Sequence, residues 1–102
     1  MMISLIDETG PFAENKERAK SLRTRSILPA VKRGEDVTLD FDGVYLTTQS
    51  FVHALVATAI RDYDGLDHLV FKNCDPNVRS IIEIVVSYCQ ENWGEGVQTP
   101  EV

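Results

Sequence analysis

VTLDFDGVYLTTQSF, residues 37–51, decides how this chain folds. Val37, Leu39 and Phe41 alternate with Thr38 and Asp40, the period of two that sets one side of a strand against a core. Asp42-Gly43 breaks the alternation, and Thr47, Thr48 and Ser50 place hydroxyls where a helix is about to begin. SFVHALVATAIRDY, residues 50–63, is too long for one strand and apolar on most sides, so it reads as a buried helix. A strand that runs through a polar turn into a buried helix is one β-α unit, and the flanking sequence repeats it.

Upstream, MISLIDE at residues 2–8 reads as a first strand, ended by the turn signal Gly10-Pro11. From about Ala13 to Arg33 the composition is helical, with Ile27, Leu28 and Val31 clustered on one face. Proline removes a hydrogen bond and disfavours helical geometry in the residue before it, so Pro29 predicts a kink or two separate pieces. ENKERAKSLRTR, residues 14–25, reads either as helix or as a mobile basic loop. Gly34 ends the segment. Downstream, Asp64-Gly65 closes the buried helix, and HLVF at 68–71 is an apolar run of the type that fills an interior parallel strand. Asp75 then caps a helix with Pro76 at its first position. Val78, Ile81, Ile82, Val85, Tyr88 and Cys89 recur at helical spacing behind it.

The order is β-α-β-α-β-α, which predicts an α/β fold: a small, mainly parallel sheet flanked by helices, with right-handed crossovers. Residues 1–92 read as one domain, with 13–26 as the basic segment and 93–102 as a flexible C-terminal tail. Functional groups in such sheets gather at the carboxyl ends of strands, which is where DFDGVYLTTQSF and KNCDPN both lie.

The chain has 102 residues, room for one domain with one modest core. Its 43% hydrophobic and 25% charged content is that of a soluble globular protein. With no apolar run long enough to span a bilayer and no signal-peptide pattern, the expected location is the cytoplasm, away from membranes. Cys74 and Cys89 match no zinc-ligand spacing, and together with the isolated His53 and His68 they read as structural; no metal or cofactor is expected. The net charge of −6 is unevenly spread. Seven of the ten basic residues lie between Lys16 and Arg33, where Glu17 is the only acid, so that stretch carries +6 and the remainder −12. An acidic body argues against a nucleic-acid partner. Arg18, Arg23 and Arg25 are the candidates within the basic stretch for contact with a phosphate or a partner.

LPAVKRGEDVTLDFDGVYLTTQSFVHAL followed by LVFKNCDPNVRSIIEIV resembles the STAS-like family of uncharacterised bacterial proteins, over roughly residues 17–90. These are short relatives of the STAS domain, the fold of anti-sigma factor antagonists and of sulphate-transporter tails. In the antagonists, an Asp-Ser step opens the helix after the strand, and a partner of histidine-kinase-like ATPase fold phosphorylates the serine. The resemblance carries Asp40 onto the strand aspartate, Thr48 onto the turn aspartate and Gln49 onto the serine. Gln49 cannot accept a phosphate, and Ser50 lies one residue beyond. The resemblance therefore implies a fold and a protein-partner role, with the switch itself open.

Three readings of the turn follow. The first is a non-enzymatic regulatory module acting through protein–protein interaction, with a histidine-kinase-like ATPase as the implied partner. Its contact surface would hold Asp40, Asp42, Thr47, Thr48, Gln49, Ser50 and Phe51, with a hydroxyl phospho-switch near Ser50. A phosphate in the first turn of a helix meets unpaired N–H groups and the favourable end of the helix dipole. Plain capping by Thr48 and Ser50 accounts for the same hydroxyls. The second is a switch-free, self-associating or scaffold subunit. In the third, Asp40 and Asp42 form the Asp-x-Asp pair of a small magnesium-dependent phosphohydrolase, with Lys72 balancing the phosphate.

Overall fold

Three strands, β1 (Met2–Ser4), β3 (Val37–Asp40) and β5 (Leu69–Lys72), form one parallel sheet in the order β1-β3-β5 in the structure, a computed structural model. It describes residues 1–92, with side chains as far as Gln90; the expected tail at 93–102, with Trp93, lies outside the described residues. A second, two-residue parallel ladder joins β2 (Phe12–Ala13) to β4 (Leu46–Thr47). The helices are α1 (Leu5–Thr9), α2 (Lys16–Leu22), α3 (Leu28–Lys32), α4 (Gln49–Tyr63) and α5 (Pro76–Asn92).

Val37 and Leu39 in the middle strand are fully buried, as the alternation predicts. Their strand pairs Ile3 with Leu39 on one side and Leu39 with Phe71 on the other. The Phe41 N–H donates to the Lys72 carbonyl at 2.9 Å and carries the ladder one residue further. The core then closes on Leu5, Leu22, Ile27, Phe41, Phe51, Leu55 and Val78, each at most 1% exposed. Among the described residues no polar or charged residue is buried with them. Helix α4 is the hub, packing most extensively on α5 and next on α2.

Several boundaries differ from the sequence-based expectation. MISLIDE is not one strand: β1 stops at Ser4 and Leu5–Thr9 coils into a short helix. The Gly10 N–H and the Thr9 hydroxyl bond back to the Ile6 and Leu5 carbonyls, and the turn buries Leu5 completely. HLVF is not an interior strand. β5 lies at the sheet edge, with Val70 45% exposed, because β3 takes the only central place.

The segment left open as helix or loop is helical from Lys16, where the Asn15 side chain accepts the N–H groups of Glu17 and Arg18. Pro29 does not divide it. Residues Arg23–Ile27 form a π-helical turn, and Leu28 stays helical at φ −62°, ψ −43°. In an α-helix the Pro29 ring would press on the carbonyl of Arg25; the wider π turn accommodates it while Ile27, Ala30 and Val31 remain buried. The helix ends in a Schellman motif: Gly34 N–H to Val31 O and Glu35 N–H to Ala30 O, both 2.9 Å, with Gly34 at φ +78°.

Candidate functional site

The turn after β3 is built around Asp40. Its Oδ1 accepts the Asp42 backbone N–H at 3.0 Å and the Asn73 side-chain amide at 3.0 Å, fastening the ends of β3 and β5 together. These bonds hold the Asp40 carboxyl below its ordinary value, the Asp42 N–H first and the Asn73 amide next, with Lys72 adding a smaller pull. The expected strand alignment of Asp40 with Asp42 is thereby corrected. The strand ends at Asp40, so the period-two relation that would align Asp40 with exposed Asp42 no longer applies. The Asp40 carboxylate is instead engaged in a turn.

A carboxylate stabilised in the folded state contributes stability above its unfolded pKa and loses it as pH falls through the folded one. Asp40 should therefore keep its charge below the ordinary 3.8. In a carbon-detected NMR titration, Asn73→Ala should move the Asp40 midpoint back up while leaving it short of 3.8, since the Asp42 bond remains. An unmoved midpoint would show that the amide contributes nothing.

Beyond Gly43 the chain returns to β2. The Tyr45 N–H donates to the Pro11 carbonyl at 2.9 Å, and the Thr47 hydroxyl to the Ala13 carbonyl at 2.7 Å. Paired residues of a parallel ladder share a face, so Phe12 and Leu46 point out together, 53% and 50% exposed. Tyr45 beside them is 59% exposed. Phe12, Glu14, Leu46, Thr47 and Thr48 line a shallow depression of about 320 Å³ that reaches the start of α4.

Thr48 is the N-cap of α4, its hydroxyl accepting the Phe51 N–H at 3.0 Å, a bond of the kind that contributes about 1 kcal/mol. Gln49 and Ser50 are exposed in the first turn. Ser50 does not share the capping role: among the described residues its hydroxyl has no hydrogen-bond partner. Phe51 is fully buried and belongs to the core, which corrects its place in the expected contact surface.

A groove of about 450 Å³ begins at this turn. One wall carries Lys16, Lys20 and Arg23; Gln49, Ser50, His53 and Ala54 come from α4, and Ile84, Val85 and Tyr88 from α5. Of the three arginines named from sequence, only Arg23 lines it, with one N–H also bonded to the Ala54 carbonyl at 3.3 Å. Arg25 instead faces Glu8 at 3.7 Å, and Arg18 is exposed elsewhere on the helix. Lys16 and Lys20 were missed, although spacings of four and three put 16, 20 and 23 on one helix face and turn 18 and 25 away from it. His53, tilted against Tyr88 with ring centres 6.4 Å apart, is held below its ordinary value by burial first and Arg61 second. Its ring is therefore neutral at pH 7.

The model of the "STAS-like domain of unknown function" (DUF4325) matches residues 18–79, from α2 through the start of α5. The chain belongs to this STAS-like family. No curated protein and no solved structure matches it. The remaining candidates in this STAS-like chain fall into structural places. His68 Nδ1 lies 3.1 Å from Asp36 Oδ1, beside the start of β3. Cys74 and Cys89 are free thiols, both pushed up by burial, which keeps them protonated and poorly nucleophilic at neutral pH. Among the described residues no three His, Cys, Asp or Glu side chains gather as metal ligands, and no helix is long and apolar enough to cross a membrane.

Proposed function

We propose that this STAS-like domain is a non-enzymatic regulatory module that docks another protein on the end of the fold where the β2-β4 ladder meets the first turn of α4. One observation carries the reading: Phe12 and Leu46 stand side by side in solvent, with exposed Tyr45 adjoining. Paired apolar side chains beside a polar, hydroxyl-rich rim have the anatomy of a contact surface, in which such anchors supply most of the binding energy. A histidine-kinase-like ATPase is the partner that family resemblance supports. Ser50, exposed in the first turn of α4, is the hydroxyl through which a kinase partner would control the contact, since a phosphate there adds nearly two negative charges.

The test is affinity capture from native-host lysate with wild type, Ser50→Ala and Ser50→Asp, with and without ATP, the captured proteins being identified by mass spectrometry. Recovery of an ATPase by wild type and Ser50→Ala, and its loss with Ser50→Asp, is the expected result. Capture of the same partner by all three would remove the switch and retain the docking. Absence of any specific partner would count against the docking itself.

A further inference from the structure

The groove between α2, α4 and α5 is built for more than a protein edge, and we infer that it is a binding site for a small phosphorylated organic molecule with an apolar group. This inference does not depend on the docking reading. It rests on how the groove is lined. Lys16, Lys20 and Arg23 converge on it, while none of its ten lining residues is acidic, on a chain with 16 acids and a net charge of −6. Cations segregated in a concave site select an anion, and phosphate is the one best matched to a guanidinium flanked by two ammonium groups. Glu17 does pair with Lys20, at 3.5 Å, but it is 82% exposed outside the groove and in strong competition with water.

The opposite wall determines the rest of the ligand. Ala54 and Val85 form an apolar floor, and Ile84 and Tyr88 stand beside it 49% and 51% exposed. A bare phosphate would leave that surface uncovered. Neutral His53 adds one hydrogen-bonding ring without adding charge. At about 450 Å³ the groove falls within the range of small-molecule sites, which combine apolar walls with a few convergent polar groups. A phosphomonoester on a flat or branched apolar group places its dianion against α2 and its hydrophobic end against α5.

Phenyl phosphate is the probe, with inorganic phosphate and phenol as its two halves, titrated at pH 7.5 and followed by the amide NMR signals of Gln49, Ser50 and Ala54. Phenyl phosphate should perturb these signals at millimolar concentration or below, at least about tenfold tighter than either half alone. The Lys16→Gln/Lys20→Gln double variant alters only exposed or half-buried positions on α2 and should weaken phenyl phosphate about tenfold or more. Tyr88→Ala should weaken phenyl phosphate while leaving inorganic phosphate unchanged. Equal binding of inorganic phosphate and phenyl phosphate, or undiminished binding by the lysine variant, would overturn the inference. So would the absence of any perturbation at these amides.

Discussion

Replacing Phe51 by alanine should destabilise the domain by about 3–5 kcal/mol, the range for removing a large aromatic side chain from a packed core. Phe51 is fully buried and sits in the first turn of α4, the helix that packs against both α2 and α5. Its loss opens a cavity at the point where these elements meet, next to the Thr48 cap that begins the helix. Single domains have total stabilities of about 5–15 kcal/mol, so this one change removes about a fifth or more of the total. The melting temperature should fall by about 12 °C or more, on the scale of about 4–8 °C per kcal/mol for domains near this size. Urea denaturation should show a lower midpoint with an unchanged slope, the signature of lost stability without an altered unfolded state. Phe51→Leu keeps most of the volume and should cost well under half as much. If Phe51→Ala lost less than about 1 kcal/mol, its place in the core would be wrong. The same result would reopen the contact-surface role read for it from sequence.

That reading failed for a physical reason. A phenylalanine just after a row of hydroxyls reads equally well as a contact residue or as the first core residue of a helix. Only the packing of α4 on its neighbours decides between them. Where local chemistry determines structure, the sequence is legible. The alternation of Val37 and Leu39, the Asp75-Pro76 helix start, the Gly34 stop and the left-handed Asp64 that closes α4 all lie where the residues place them. Features made by distant partners are not legible this way. β2 and β4 have two residues each, too few for any periodic pattern, and exist because the Pro11 and Ala13 carbonyls meet residues 45–47. The edge position of β5 depends on the whole sheet. The π turn before Pro29 depends on the need to keep Ile27, Ala30 and Val31 buried at once. The basic wall of the groove lies between these cases. The 16, 20, 23 spacing stands in the sequence, yet it becomes half of a site only when Ile84, Val85 and Tyr88 arrive opposite from the last helix.

Phe12 and Leu46 provide the counterpart to Phe51. The double change Phe12→Ser/Leu46→Ser should abolish partner binding while barely disturbing the fold. Both side chains are about half exposed, and their mutual contact across the ladder contributes only about 0.2–1 kcal/mol to folding, so the melting temperature should move by no more than about 8 °C. In a complex each would be covered. Well-buried apolar anchors at interface centres are worth about 2 kcal/mol apiece, so losing two corresponds to roughly a thousandfold in dissociation constant. Calorimetry with the purified partner would measure this directly. The two residues separate the readings of the molecule more sharply than Ser50 does. A surface anchor uncouples binding from stability, whereas Phe51→Ala should lose binding only in proportion to the fraction unfolded. Sedimentation of the same double variant tests self-association. A wild-type dimer that becomes monomeric in the variant would make a second copy of the chain the occupant of the patch. A dimer that persists in the variant but dissolves in high salt would instead point to pairing between the basic stretch and the acidic body. Wild-type affinity in the double variant would move the docking surface away from the β2-β4 ladder altogether. The exposed pairing of an aromatic with a leucine would then be ordinary surface, of the kind every soluble domain carries.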